Sequence, residues 1–221
     1  LEESKHIFTN SQIVSDRLME FNQIDSEVLY PPVLEPERFY CESYEPTVVY
    51  ICRMEEHKRQ HLLLEAMRYT KSNAKLILAG KSHSASYPRK LKLTAMKHRL
   101  TNKVEIMDRW ISEDEKSQLL ARCSLAAYLP FEEDSYGYPS LEAQHSRKAV
   151  LTTTDSGGVL ELVRDGQNGL ITEPDPQALA EAIDRTVQTP GFAKQMGEEG
   201  PHRIAELGIQ WDHTINRLMA A

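Results

Sequence analysis

TVVYICRMEEHKRQHLLLEAMRYTKSNAKLILAG, Thr47 to Gly80, is the stretch whose reading decides the fold. Its two ends, TVVYICR and AKLILAG, are short, nearly continuous apolar runs of mostly β-compatible residues. Between them, residues 57–69 (HKRQHLLLEAMRY) mix charged and apolar positions as an amphipathic helix does. Apolar strand, helix and apolar strand together make the repeating unit of a parallel sheet covered on both faces. The alternation continues through KVEIM (103–107), SLAAYLP (124–130), AVLTTT (149–154) and GLIT (169–172). Helical patterns over 88–100, 113–123, 140–147 and 159–165 separate these runs. Six such strands predict an α/β fold, a doubly wound parallel six-stranded Rossmann-like sheet, whose ligands sit at the carboxyl ends of the strands. Ser112 is the expected cap of the helix over 113–123, with Glu113, Asp114 and Glu115 in its first turn.

Working outward, KHIFTNSQIVSDRLMEFNQIDSEVLYPPV reads as strand, helix, strand and a Pro31-Pro32 break, with Asn10 or Ser11 as the helix cap. The chain opens on Leu1, and residues 1–33 are expected to be the end of a preceding domain and its linker. Residues 34–205 are expected to form the sheet domain, and 206–221 a C-terminal helix. The formal net charge of -7 argues against a nucleic-acid partner, which needs a basic face. Cys41, Cys52 and Cys123 are scattered and odd in number, as reduced thiols of a cytoplasmic protein would be. No apolar run reaches membrane-spanning length. His57 and His61 have a zinc-chelating spacing but lack an evident third ligand.

The stretch that carries chemistry is FEEDSYGYPSLEAQ, Phe131 to Gln144, which follows the fourth strand. Pro139 suits a first helical position, and Gly137 lets the backbone come close to a ligand. A helix start there offers partial positive charge to a phosphate. Glu142, one turn further on, has two oxygens for two neighbouring ribose hydroxyls, and Asp134 has two for another polyol. A phosphate flanked by two diols describes a nucleotide sugar. The dipole alone accounts for acids at a helix start, and Glu132 and Glu133 are read that way.

The pattern DSYGYPSLEA resembles the E-x-F-G-x-x-x-x-E-A motif of retaining GT-B glycosyltransferases of family 4, the glycosyl transferases group 1. A subset carrying D-Y-G-Y-x-x-L-E-A, T-T-D-S-G-G and E-L-V-x-D-G-x-N-G-L is similar to TTTDSGGVLELVRDGQNGL, Thr152 to Leu170. The resemblance spans about Thr47 to Thr186 and identifies the chain with the C-terminal, donor-binding half of such an enzyme. It also matches Arg53 and Lys58 to the family's G-R-x-x-x-x-K, with Cys52 and Arg59 standing where glycines are common. What it implies is a catalytic set of Arg53, Lys58 and Asp134, the cations neutralising a leaving diphosphate and Asp134 facing the donor sugar. Glu142, Tyr136, Gly137, Tyr138 and Ser140 would bind the donor, and Trp110 and Ile111 would lie in the base-binding loop.

The implied reaction transfers a hexose, with mannose and glucose as candidates, from a GDP- or UDP-linked donor to an acceptor hydroxyl, needing neither cofactor nor metal. The acceptor, a glycan or glycolipid, would belong to the missing N-terminal domain, and peripheral contact at the inner face of the membrane is compatible with that. The 221 residues by themselves are expected to bind donor weakly and turn over little. Two alternatives stay open: a GT-B sugar-nucleotide epimerase or phosphorylase-like enzyme, and a non-catalytic nucleotide-sugar-binding module.

Overall fold

The computed structural model describes residues 6–220, so the first five residues of the expected leading piece and Ala221 lie outside the described residues. β1 (Phe8–Thr9), α1 (Gln12–Asn22) and β2 (Glu27–Val28) form a small parallel pair with its connecting helix. Ser11 is the residue that caps α1, its Oγ accepting the Val14 amide at 3.2 Å. A single 3₁₀ turn at Pro36–Arg38 leads into the sheet.

The sheet elements follow in strict alternation: β3 (Glu45–Ile51), α2 (Gln60–Ala66), β4 (Lys75–Ala79), α3 (Ser86–Lys97), β5 (Val104–Met107) and α4 (Glu113–Arg122). Next come β6 (Cys123–Ala127), α5 (Tyr138–His145), β7 (Ala149–Thr153), α6 (Val159–Leu162) and β8 (Gly169–Thr172). α7 (Pro176–Gln188), α8 (Phe192–Glu198), α9 (Gly200–Glu206) and α10 (Trp211–Met219) close the chain. The six strands pair in the order β5-β4-β3-β6-β7-β8, every pair parallel. All five residues of β6 and all five of β7 are buried, as strands covered by helices on both faces must be. Strand order reverses between β3 and β6, and the crevice outside their carboxyl ends is where an open α/β sheet takes its ligand.

Two helices differ from their sequence patterns for local reasons. The helix expected over 159–165 stops at Leu162 because Asn168 takes over its end: Nδ2 donates to the Leu162 carbonyl at 2.9 Å and Oδ1 accepts the Arg164 amide at 2.7 Å. The helix expected over 57–69 is broken in two, a 3₁₀ turn at Glu56–Lys58 and then α2, with Arg59 between them at φ 56°. Ser112 caps α4 as its sequence suggests, accepting the Glu115 amide at 3.2 Å.

The leading α/β piece is bound to the sheet domain by Glu161. Its carboxylate accepts the first amides of α1, Gln12 at 2.9 Å and Ile13 at 3.1 Å, and the Tyr30 hydroxyl at 2.7 Å. Cap loss costs about 1 kcal/mol and the lost tyrosine bond about as much again. Glu161→Ala is therefore expected to speed amide exchange across residues 12–30 by roughly tenfold or more while leaving β6 and β7 unchanged. Equal exchange in both chains would rule out this clamp.

Candidate functional site

Lys58 and Glu133 meet at the point where strand order reverses. Lys58 ends the 3₁₀ turn after β3, and its carbonyl is held by the Tyr50 hydroxyl, which also accepts the Leu129 amide at 3.0 Å. Its ammonium, on a side chain only 8 % exposed, donates to the Tyr128 hydroxyl at 2.9 Å and forms an ion pair with Glu133. Tyr128 and Glu133 both follow β6. An ammonium has three N–H bonds. The third has no acceptor among the described residues. Burial, and then the Glu133 carboxylate, hold the Tyr128 phenol well above its ordinary value, so it stays a neutral partner.

The loop bearing these acids is fixed by its backbone. The Phe131 amide donates to the His57 carbonyl at 3.0 Å, Glu132 to Asp155 at 3.0 Å, and Gly158 to Glu133 at 2.7 Å. Residues 133 and 157 form a parallel bridge, and Cβ atoms at Gly157 and Gly158 would lie 2.7 Å from the Glu133 nitrogen and the Ser135 carbonyl carbon. Glycine permits this approach of one main chain to another. Gly137, at φ 70°, starts α5 with its α-carbon against the Tyr128 ring, where a Cβ would come 2.8 Å from Cζ.

A second polar cluster lies at a cavity of about 440 Å³ walled by Phe39, Tyr138 and Trp211. Lys116, from α4, donates to Glu142 Oε1 at 2.6 Å and to Glu113 Oε2 at 2.8 Å. The side chains of the inner pair are 15 % and 11 % exposed. Burial pushes the Glu142 carboxyl above its ordinary range, with Lys116 working against it. Burial pulls Lys116 down, but Glu142 and Glu113 outweigh that and leave it above its ordinary value. The second Glu142 oxygen accepts nothing among the described residues.

The other sequence-predicted residues are placed elsewhere along the same rim. Asp134 turns toward the leading piece, where it is ion-paired with Arg17 and its carbonyl accepts from the Ser11 hydroxyl. Arg53 is exposed, its Nη1 lying 3.5 Å from Glu55 Oε1 and 3.5 Å from His83 Nε2. Tyr136 is buried, packs at a tilt against Tyr30 with 5.7 Å between ring centroids and donates its hydroxyl to the Pro31 carbonyl, so it seats the linker. Ser140 is buried, with its amide donated to the Gly137 carbonyl at 3.1 Å. Tyr138 faces the cavity. Trp110 is exposed and Ile111 buried, and neither is among the residues lining that cavity. Arg53, Lys58, Asp134 and Glu142 thus share the carboxyl-end rim of the sheet without converging on one cavity.

Glu133, Tyr128 and Lys116 are site residues that sequence alone does not single out: Glu133 reads as a helix-dipole acid, Tyr128 as part of an apolar strand, and Lys116 sits inside the charged run EDEK. The signal that could have found Lys116 is positional: it lies one turn into the helix that follows a strand's carboxyl end. His61 is engaged by Tyr87 at 3.1 Å and His57 lies 3.4 Å from Glu55, so the two do not form a pair. Among the described residues no group of three His, Cys, Asp or Glu side chains is placed to hold a metal, and no helix is long and apolar enough to cross a membrane.

Comparison with known proteins agrees with this architecture. Residues 40–203 match the model of the family described as glycosyl transferases group 1. Human alpha-1,3/1,6-mannosyltransferase ALG2 is 28% identical, the alignment covering 90% of this chain and 54% of the relative. The Dictyostelium discoideum protein of the same description is 27% identical over 82% of this chain and 44% of its own. The chain therefore spans about half the length of the curated relatives it matches. Among solved structures, sucrose-phosphate synthase from Thermosynechococcus elongatus superposes with a TM-score of 0.86 at 20% identity, covering 100% of this chain and 58% of that one. HepE from Anabaena, in complex with UDP and glucose, gives 0.80 at 21% identity, covering 98% and 62%. These two share the fold.

Proposed function

The chain belongs to the glycosyl transferases group 1 family, and from that premise we propose that it is the donor-binding portion of a retaining hexosyltransferase acting on a nucleoside-diphosphate sugar. The observation that carries the reading is the cavity lined by Glu142 and Lys116, with Glu142 on the helix that starts at Gly137 and across the strand-order reversal from Lys58. The free oxygen of Glu142 suits a ribose hydroxyl, and the aromatic walls suit the flat face of a base. Lys116 adds a donor N–H to the same wall.

Lys58 is the natural partner of the diphosphate, since its third N–H is uncommitted and it is already screened from water. As the glycosidic bond breaks, negative charge builds on the leaving diphosphate, and a contact that strengthens at that moment lowers the barrier. One charge-assisted bond of this kind is worth about 1.5–3 kcal/mol. Arg53, exposed at the exit of β3, would exchange its Glu55 partner for the same group. In this reading Asp134, paired with Arg17 across the junction with the leading piece, serves the sugar and its acceptor. The acceptor is a glycan or glycolipid hydroxyl supplied through the remainder of the enzyme. The mannosyltransferase activity for which the relatives are named supports mannose as the transferred sugar, and the UDP complex of HepE supports a nucleoside diphosphate as the leaving group.

Calorimetric titration of this chain with GDP-mannose and with UDP-glucose tests the reading. One of the two is expected to bind, and Lys58→Met is expected to weaken that binding by about tenfold or more. If neither nucleotide sugar binds at millimolar concentration, the reading is wrong.

A further inference from the structure

Arg59 follows Lys58 with its backbone at φ 56°, a left-handed conformation that side chains rarely adopt. It is also mostly buried, its side chain 13 % exposed. Its guanidinium reaches the ends of two other strands. Nε donates to the Leu129 carbonyl at 2.7 Å and Nη2 to the Pro130 carbonyl at 2.8 Å, both beyond β6. Nη2 also reaches Thr153 Oγ1 at 2.7 Å, at the end of β7. Nη1 and Nη2 grip the two oxygens of Asp155 at 2.8 Å each, a forked pair of the kind only a planar guanidinium makes. The guanidinium stands 5.7 Å from the centre of the Phe131 ring.

Each of these partners belongs to the frame of the Lys58 site. Leu129 and Pro130 continue from Tyr128, the hydroxyl partner of Lys58. The Asp155 carbonyl accepts the Glu132 amide at 3.0 Å, next to Glu133, the carboxylate partner. Lys58 itself is gripped on its other side by Tyr50. A single side chain, the one that follows Lys58 in sequence, thus ties the turn that carries Lys58 both to the β6 exit loop that holds its partners and to the β7 exit packed against that loop.

We propose that Arg59, through its forked bond to Asp155, is a positioning residue that aims Lys58 at the diphosphate of the donor. The inference rests on the function proposed above, because it takes a nucleoside diphosphate as the ligand of Lys58. It predicts that Arg59 governs the extra grip on the second phosphate and not the grip on the nucleoside.

The test is the ratio of dissociation constants for a nucleoside monophosphate and the matching diphosphate, measured by calorimetry with UMP and UDP and with GMP and GDP. The unaltered chain is expected to hold the preferred diphosphate about tenfold more tightly than its monophosphate. Arg59→Gly relieves the left-handed backbone and removes the fork, so any loss reports the guanidinium and not strain. It is expected to shrink the ratio to about threefold or less with the monophosphate constant within about twofold, and Arg59→Lys, which keeps the charge but lacks the fork, is expected not to restore it. A ratio that stays within about twofold of the unaltered chain overturns the inference, even if the variant melts earlier. Asp155→Asn leaves the carbonyl contacts of Arg59 in place and is read in the same way should the glycine variant fail to fold. If the unaltered chain binds neither UDP nor GDP, the proposed function falls and this inference with it, whereas an unmoved ratio overturns this inference alone.

Discussion

Lys116→Met is expected to cost about 3–5 kcal/mol of stability at neutral pH, because it strands the Glu142 carboxylate in a site where only 11 % of the side chain is exposed. The carboxylate can escape only by keeping its proton, which makes the loss depend on pH. Burial already holds the Glu142 carboxyl above its ordinary value. A carboxyl raised by folding contributes stability that is complete below its unfolded value and fades as pH rises through the folded one. Without Lys116 that value climbs further, so the deficit widens from pH 5 to pH 8. Urea unfolding across this range measures it. The double variant Lys116→Met with Glu142→Gln, which removes both charges, is expected to recover most of the loss. A single variant within about 0.5 kcal/mol of the unaltered chain at pH 8 would show that water reaches Glu142 and that the pair is ordinary surface charge.

Gly137→Ala is the second large effect. The residue lies at φ 70°, and the added methyl would meet the Tyr128 ring, 2.8 Å from its Cζ. Left-handed backbone for alanine costs about 1–2 kcal/mol, and forcing a buried ring aside costs about 1–3 more, so a loss near 3 kcal/mol is expected. Displacing Tyr128 also removes the hydroxyl that holds Lys58, so diphosphate affinity should fall together with stability. Shrinking the ring with Tyr128→Leu in the alanine background should return part of the stability and none of the affinity. Alanine tolerated within about 1 kcal/mol would mean that α5 can start without this contact.

The fold was legible because each strand announced itself. Runs such as AVLTT and SLAAYLP are buried on both faces, and that demand favours apolar and small residues along the whole run, with Ser124, Thr152 and Thr153 as the buried polar members. The helix cap at Ser112 was legible, and that of α1 to within Asn10 or Ser11, for a similar reason, a side-chain oxygen being needed at one position only. The end of α6 was not, because Asn168, six residues downstream of Leu162, stops it through side-chain bonds that no periodicity encodes. For the site, the residues themselves pointed to Glu142, and the family resemblance alone to Lys58. Spacing did not distinguish Glu133 from Asp134. These neighbours in an exit loop point in opposite directions, one to Lys58 and one to Arg17, and only the docking of the loop backbone onto Gly157 and Gly158 decides between them. Arg59 read as a departure from a glycine pattern. Its compensation lies in Asp155, nearly a hundred residues away in sequence.

The pairing of β3 with β6 decides how the polar pairs along this rim come into being. It is the seam between two consecutive halves of the sheet, β3 to β5 and β6 to β8. Lys58 to Glu133, Lys116 to Glu142 and Arg59 to Asp155 all cross it. Neither half, however well folded, owns any of these three pairs whole, so each is a property of their closure and is absent from any state in which the halves stand apart.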